Sequence, residues 1–267
     1  MQNSSILVIG YGNMGRPIVE AAISCAMRPH LMLHKNEEGI EIAESKHLPY
    51  DIDEVPDEHF DYILLAVKPQ NLTDISDKIK KLLNKNSDSV VISIMAGTTI
   101  ATIRDYFPKN PIARFMPNLA ITVKHSFTTI ATDKLNDTMK HNIAEFAESF
   151  GDFEFVEDEE TLDMMTSVTG SGPAYFAYFM KSMIEAAEKL GIPKNIAKAA
   201  IIKTALGTAD LMIEKNITPA ELIKRVSSKG GVTEAGVNVL DDSDFSAIVE
   251  DCIKKTYDKA QELAQIK

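Results

Sequence analysis

The chain opens on a short apolar run, Ile6-Leu7-Val8-Ile9, and a glycine-rich hexapeptide, Gly10-Tyr11-Gly12-Asn13-Met14-Gly15. A helix is predicted directly afterwards, over Arg16–Met27. A buried strand, a turn with glycine at its first, third and sixth positions, and a helix together form the dinucleotide-binding start of a Rossmann unit. The hexapeptide therefore predicts a nucleotide site in which all six of its residues bind the cofactor.

Each glycine of this loop has an expected role. Gly10 permits a tight turn, Gly12 allows the backbone to approach a pyrophosphate, and Gly15 lets the helix pack close to the strand. The phosphates would then rest on free N–H groups at the positive end of the helix. The alternative, a purely structural turn, is disfavoured because a strand and a helix lie on either side, as the motif requires.

Composition indicates an ordinary globular protein of 267 residues, long enough for two modest domains. The hydrophobic fraction is 45% and the charged fraction is 25%, as in most globular chains. The formal net charge is -11, and no long basic stripe occurs. Since binding to nucleic acid or to a membrane surface depends on clustered positive charge, neither kind of partner is expected.

Composition also gives no sign of a metal site, a disulfide or an export signal. Cys25 and Cys252 are far apart in sequence, and the six histidines show no ligand-like spacing. The first residues are polar, and charges interrupt the apolar helical stretches, so neither a signal peptide nor a transmembrane helix is predicted. We expect a cytoplasmic protein without a bound metal.

The first part of the chain alternates short β-rich runs with helical ones. This pattern predicts an α/β fold, with a Rossmann-like and mainly parallel sheet in residues 1–160. The predicted strands are Ile6–Ile9, Leu31–Leu33, Tyr62–Val67, Val90–Ile94, Ile112–Phe115, Ser126–Ala131 and Phe153–Val156. The helices between them include Leu72–Leu83, Thr98–Tyr106 and Asp137–Phe150. The acidic run Glu157–Glu160 is interpreted as a solvated linker and helix start.

Residues 161–267 predict an all-α domain. Helices are expected over Gly172–Leu190, Asn195–Glu214, a segment opened by the capping box Thr218–Glu221, Thr233–Leu240 and Asp244–Ala264. The middle helices are rich in alanine and apolar on more than one face, and a five-helix domain cannot hide several such helices. We therefore predict an intertwined homodimer formed through this domain. A central helix inside a monomer is the alternative.

The carboxyl ends of the predicted strands carry unusual residues, at the edge where such sheets bind ligands. Lys68-Pro69, Met95-Ala96-Gly97 and Met116-Pro117-Asn118 each follow one strand. The second strand ends in His34-Lys35-Asn36, about twenty residues past the glycine loop, where ribose specificity is set. No acid stands there to bind the ribose hydroxyls, and Lys35 would pair with a 2′-phosphate. This favours NADP(H) over NAD(H), with a solvated surface lysine as the alternative.

Two glycine-bearing segments interrupt the helical region, Thr169–Tyr175 and Ser227–Thr233. Each is expected to be a polar loop that opens a helix. Exposed N–H groups in such loops can hold a carboxylate, and the hydroxyls can bond a polar reacting atom. Ordinary helix capping explains each loop equally well when it is taken alone.

Taken together and in order, these segments resemble the signature segments of the pyrroline-5-carboxylate reductase family, over nearly the whole chain. The segments are Gly10–Gly15, Ala66–Pro69, Arg114–Asn118, Gly170–Tyr175 and Ser227–Thr233. The resemblance implies an N-terminal Rossmann domain and a C-terminal helical domain that dimerises by exchanging helices, with dimers often assembling into decamers. It implies a site shared between the cofactor domain of one subunit and the helical domain of its partner. The implied reaction is hydride transfer from NADPH, or NADH, to L-1-pyrroline-5-carboxylate, which gives L-proline in the last step of its synthesis.

By position, the resemblance also implies residue roles. The substrate-binding loop is Ser228, Gly230, Gly231, Val232 and Thr233, whose N–H groups would hold the carboxylate. Thr233 is the catalytic candidate, because its hydroxyl would bond the ring nitrogen. The dinucleotide would be lined by Ala66, Val67, Lys68, Pro69, Met95, Ala96 and Asn118. His34 and Lys35 would lie near the adenosine 2′-phosphate.

The chain departs from the family pattern at three places. Lys229 stands where the family usually has proline, and Lys124-His125-Ser126 occupies the region of a usual Glu-Gly pair. An asparagine expected before the strand that ends at Ala66–Pro69 has no clear counterpart among Asp51–Asp57. The last departure weakens the preference for NADP(H) but leaves the expected reaction unchanged.

Two other functions are compatible with the fold. A related imine or hydroxyacid reductase is one. β-Hydroxyacid dehydrogenases carry a catalytic lysine where this chain has Phe176, and the first lysine on that helix, Lys181, is out of register. The other is a non-catalytic dinucleotide-sensing protein, against which the intact hydroxyl and glycine positions of the helical region argue.

Overall fold

The computed structural model describes residues 3–33, 37–52, 54, 56–75, 78–79, 82 and 85–265. His34 and Lys35, two predicted cofactor contacts, lie outside the described residues. By packing, the chain forms two compact units. The first takes in the described residues up to Ser171 and those from Thr256 onward, and the second spans Gly172–Lys255. The domain boundary at residue 160 stays a prediction.

The first unit contains one eight-stranded sheet. Its strands are β1 (Ser5–Ile9), β2 (Arg28–Leu33), β3 (Tyr50–Ile52), β4 (Tyr62–Leu65), β5 (Val90–Ser93), β6 (Ile112–Met116), β7 (Ser126–Asp133) and β8 (Gly151–Phe155). The spatial order is β3-β2-β1-β4-β5-β6-β7-β8, and every pair is parallel except β6 with β7. The predicted mainly parallel sheet is confirmed. The sequence missed β3, because three residues with one aspartate give no periodic signal.

Helices cover both faces of this sheet. They are α1 (Gly15–Ser24), α2 (Glu37–Ser45), α3 (Pro69–Asp74), α4 (Ile100–Tyr106), α5 (Asp137–Glu148) and α6 (Glu159–Met165). A 3₁₀ turn spans Leu119–Val123, and a π turn spans Thr166–Gly170. Strand β1 shows why its sequence is a continuous apolar run. Ile6 and Val8 enter one core cluster, while Leu7 and Ile9 enter the cluster on the opposite face, so both faces are buried.

The second unit is helical. It contains α7 (Gly172–Lys189), α8 (Lys194–Lys215), α9 (Pro219–Val226), α10 (Val232–Asp241) and the first part of α11 (Phe245–Gln265). The predicted helices match these bounds within a few residues. The capping box is also confirmed, since the Glu221 N–H donates to Thr218 Oγ1 at 3.2 Å and the Thr218 N–H donates to Glu221 Oε2 at 2.8 Å.

This helical unit leaves its apolar side chains largely uncovered. Within Gly172–Lys255, all of which the structure describes, only Gly172 and Ala197 are buried. Large side chains stay exposed along α7 and α8, such as Phe176 at 72% and Ile213 at 78%. Two buried residues cannot stabilise a helical domain by themselves, because most of the apolar area remains in water. The helix α8 is therefore not the covered centre of a monomer.

Candidate active site

The glycine loop connects β1 to α1 in the way its sequence predicts. Gly10 has a φ of +100°, and a Cβ placed on it would lie 2.7 Å from the Ala66 carbonyl oxygen. A Cβ on Gly15 would lie 2.6 Å from the carbonyl oxygen of Gly10. Both positions therefore require glycine for reasons internal to the protein, namely the turn and the close packing of α1 against the loop.

Gly12 has no such internal reason. A Cβ placed on it would meet no atom within 4 Å, and its φ lies outside the region that side chains avoid. The following helix begins with Met14 as its N-cap, without a side-chain capping bond and without an acidic residue in its first turn. The first N–H groups of a helix have no partner inside the helix and carry partial positive charge. Open space before such a helix end fits a pyrophosphate group.

The other predicted dinucleotide contacts lie at the same edge of the sheet. Ala66–Pro69 follows β4, Met95 and Ala96 follow β5, and Asn118 follows β6. Since β1, β4, β5 and β6 are mutually parallel neighbours, the carboxyl ends of all four strands meet there. Met95 is buried, whereas Lys68, Pro69 and Ala96 are exposed. The sheet thus brings these segments together at the edge where doubly wound folds bind ligands.

Asn118 is held by contacts within the protein. Its Oδ1 accepts from the Ala120 N–H at 2.9 Å, and its Nδ2 donates to the Thr169 carbonyl at 2.9 Å. Its backbone N–H donates to Ser126 Oγ at 3.0 Å. The side chain of Asn118 therefore positions the end of β6 against the π turn, and its role as a cofactor contact stays a prediction.

The segment from Thr169 is not the open loop that the sequence predicts. It lies in the π turn between α6 and α7, where the Ser171 N–H donates to the Thr166 carbonyl at 3.2 Å. Pro173 has no N–H, so the Thr169 carbonyl four residues earlier lacks its α-helical donor, and Asn118 supplies one instead. The prediction that the segment Thr169–Tyr175 opens a helix is confirmed, since α7 begins at Gly172, but the Ser171 N–H is not free, because it closes the π turn.

The second predicted loop does open a helix. Ser227 ends α9, and Gly231 is the N-cap of α10 without a side-chain capping bond. The Gly231 N–H donates to the Ser228 carbonyl at 2.8 Å, and Gly230 adopts a φ of +74°. Val232 is 93% exposed, and Thr233 is exposed beside it. The N–H groups of the first helical turn and the Thr233 hydroxyl are thus accessible at one helix end.

One N–H group of this loop already has a carboxylate partner from the chain itself. Glu234 Oε2 accepts from the Gly230 N–H at 2.7 Å. The sequence-based prediction gave Gly230 to the substrate and did not consider Glu234. The glutamate three residues after an N-cap commonly bonds back to the preceding backbone, so the pattern was readable in principle.

A buried ion-pair network was missed by sequence reasoning. Arg114 of β6 is fully buried, and its Nη1 and Nη2 atoms lie 2.8 Å from Glu159 Oε1 and 2.7 Å from Asp163 Oδ1. Glu159 Oε1 also accepts from the Ile100 N–H at 2.8 Å, at the start of α4. The acidic run is a helix start, since the Thr161 N–H donates to Asp158 Oδ1 at 2.7 Å. Its interpretation as a solvated linker was wrong for Glu159, whose side chain is 28% exposed and is bound by Arg114, 45 positions away.

Three further observations concern the lysine of α7, metal binding and membrane-spanning helices. Lys181, the first lysine of α7, forms a surface ion pair with Glu185 at 3.1 Å. Among the described residues, no group of three or more histidine, cysteine, aspartate or glutamate side chains is arranged to hold a metal ion. In the same part of the chain, no helix is both long and apolar enough to cross a bilayer.

Comparison with known proteins places this geometry in a family. Residues 159–263 match the family described as pyrroline-5-carboxylate reductase dimerisation, and residues 5–97 match the family described as NADP oxidoreductase, coenzyme F420-dependent. Pyrroline-5-carboxylate reductase 2 of Bacillus subtilis is 36% identical over 211 residues, which cover 78% of this chain and 74% of the relative. The enzyme of Staphylococcus aureus is 32% identical over 269 residues, which cover 98% of each chain.

A solved structure shows the same fold over the whole length. The pyrroline-5-carboxylate reductase of Coxiella burnetii superimposes with a TM-score of 0.88 and 26% identity, covering 99% of this chain and 100% of that one. The Rossmann-like unit, the helical dimerisation domain and the full-length similarity agree with each other. The chain belongs to the pyrroline-5-carboxylate reductase family.

Proposed function

We propose that this protein reduces L-1-pyrroline-5-carboxylate to L-proline with a reduced nicotinamide dinucleotide. The observation that carries the proposal is the 32% identity to a pyrroline-5-carboxylate reductase over 98% of both chains. The open space at Gly12 and the accessible start of α10 support it, because one suits a pyrophosphate and the other suits a small carboxylate.

The coenzyme, when bound, supplies a hydride to C5 of the cyclic imine. The iminium carbon is already a good electrophile, so the protein mainly has to position the substrate and manage one proton. The N–H groups at the start of α10 would bind the substrate carboxylate, with Ser228 and Gly231 shaping the loop. The Thr233 hydroxyl would hold the proton at the ring nitrogen.

We infer a preference for NADPH over NADH. No acidic residue occupies positions 34–36, and Lys35 is available in sequence to pair with a 2′-phosphate. The family match over residues 5–97 is to NADP oxidoreductases. In the direct test, pyrroline-5-carboxylate is added to the purified protein together with NADPH or with NADH. The oxidation of the coenzyme and the formation of proline are then measured together. Coenzyme binding without proline formation would instead favour the dinucleotide-sensing alternative.

The exposed apolar helices lead us to propose an intertwined homodimer, with decamers as a further assembly. Family similarity over residues 159–263 supports association through the helical unit. Light scattering coupled to size-exclusion chromatography measures the mass in solution. A protein that stays monomeric at micromolar concentration would contradict the proposal, because α7 and α8 would then remain uncovered.

Replacing Thr233 with alanine should lower kcat/KM by about 100-fold. A positioned proton donor contributes roughly 10²–10⁴-fold, and the effect should fall at the low end because the imine can arrive already protonated. Thr233→Ser, which keeps the hydroxyl, is the matched control and should retain most activity. An unchanged kcat/KM in Thr233→Ala would remove Thr233 from the mechanism.

Glu234 is expected to act on the substrate loop in two ways, by binding the Gly230 N–H and by placing a negative charge near the bound carboxylate. Two substitutions should separate these effects. Glu234→Ala removes the bond to the Gly230 N–H, loosens the loop, and should raise KM for pyrroline-5-carboxylate by about threefold to tenfold. Glu234→Gln keeps a hydrogen-bond acceptor but removes a negative charge near the bound carboxylate, so KM should fall by about twofold to threefold. Steady-state kinetics with saturating coenzyme measures both. A shift of KM in the same direction for both variants would contradict this role.

A further inference from the structure

A charged pair joins the start of α1 to the start of α2. Arg16 Nη2 lies 2.9 Å from Glu38 Oε1. The Arg16 guanidinium also lies over the ring of Tyr11, 5.8 Å from its centroid. Tyr11 belongs to the glycine loop and is buried, and burial raises the pKa of its hydroxyl. The pair therefore borders the glycine loop directly.

The location of this pair matches the adenosine end of a dinucleotide site. In doubly wound folds the adenosine ribose binds near the end of β2, and an acid there bonds its hydroxyls or an arginine nearby accepts a 2′-phosphate. Glu38 lies in the first turn of α2, the element that follows β2. Arg16 is the second residue of α1. An arginine and an acid, the two residue types that bind the ribose or its phosphate in such folds, are thus in contact with each other here.

The ion pair between Arg16 and Glu38 lies at the protein surface. The side chain of Arg16 is 28% exposed and that of Glu38 is 70% exposed. An exposed ion pair contributes little to stability. A phosphate offers three strong acceptor oxygens and close to two negative charges. A 2′-phosphate is therefore a better partner for Arg16 than Glu38 is.

We propose that Arg16 and Glu38 together set the coenzyme preference. When a 2′-phosphate is present, Arg16 breaks its ion pair with Glu38 and binds the phosphate. When that phosphate is absent, Glu38 bonds the ribose hydroxyls. The inference rests on the proposed function and extends it to two residues outside the predicted site. In this arrangement Glu38 supplies the acid that positions 34–36 lack.

The structure offers a matched control for these substitutions. Lys46, the residue after the last one of α2, pairs with Glu20 of α1 through a similar ion pair. Like Arg16, Lys46 lies close enough to Tyr11 that its positive charge opposes the rise in the pKa of the Tyr11 hydroxyl, so the two variants remove similar charges beside the glycine loop. Lys46→Met therefore removes one cation and its ion pair without removing the proposed phosphate contact.

The test measures dissociation constants by fluorescence titration without substrate, for NADPH, NADH, adenosine 2′,5′-bisphosphate and ADP. Arg16→Leu should weaken NADPH and the bisphosphate by about tenfold and change NADH and ADP by less than about threefold. Glu38→Gln should tighten NADPH and weaken NADH, each by about threefold. Lys46→Met should leave the ratio of NADPH to NADH affinity unchanged.

Equal weakening of NADPH and NADH in Arg16→Leu would overturn the proposal, because it would assign Arg16 to the shared pyrophosphate. An unchanged NADPH affinity would overturn it as well. Arg16→Gln provides a second variant in case the leucine disturbs the packing against Tyr11. Failure of the wild-type protein to make proline would count against the proposed function alone, since these titrations need no turnover.

Discussion

Replacing Arg114 with methionine is expected to lower the free energy of unfolding by about 3–5 kcal/mol. Arg114 is fully buried, and its guanidinium is the cation between Glu159 and Asp163. The side chain of Asp163 is only 10% exposed, so its carboxylate would be left in a poorly solvated place without its partner. Chemical denaturation of the variant measures the loss directly.

Two comparisons distinguish this effect from the loss of any ion pair. Lys85→Met breaks the pair between Lys85 and Asp57, whose side chains are 52% and 89% exposed, and should cost at most about 1 kcal/mol. Combining Arg114→Met with Glu159→Gln and Asp163→Asn removes all three charges and should recover much of the stability. If the free energy of unfolding of Arg114→Met lies within about 1 kcal/mol of the wild-type value, the network does not stabilise the fold.

The sheet could be predicted because its strands carry their own signal. Strands β1, β4 and β5 are buried on both faces, so the sequence of each is a nearly unbroken apolar segment. The helices of the second unit were equally readable from capping and breaking residues such as Thr218 and Gly191. The elements missed, β3 and α2, are short and polar, and only their neighbours hold them in place.

The candidate site was predictable only where function depends on local backbone geometry. Gly10 and Gly15 are required by the turn itself and by the packing around it, against Ala66 and Gly10 respectively, and their spacing in the sequence reveals them. The pairs Arg114–Glu159 and Arg16–Glu38 join residues from separate elements, so no periodicity or motif points to them. The bond from Asn118 to Thr169 is of the same kind, since it depends on where β6 and the π turn meet.

The three glycines of the loop can be separated by experiment, and Gly12→Ala should have the largest functional effect. Gly12 has an ordinary φ, and a Cβ there would meet no protein atom within 4 Å, so the free energy of unfolding should stay within about 1 kcal/mol of the wild type. The same methyl group would occupy the space in which phosphate oxygens approach the backbone. Losing two charge-assisted hydrogen bonds corresponds to about 100-fold weaker NADPH binding or more.

Gly10→Ala is the contrasting variant, because its defect should lie in folding. Its added Cβ would sit 2.7 Å from the Ala66 carbonyl oxygen at a φ of +100°, which strains the turn whether or not a dinucleotide is present. Titration with NADPH and chemical denaturation of both variants therefore form one experiment. A Gly12→Ala protein that binds NADPH as tightly as the wild type would show that the open space at Gly12 holds no phosphate. The loop would then be a structural turn. Its need for glycine at positions 10 and 15 would follow from contacts within the protein, without any ligand.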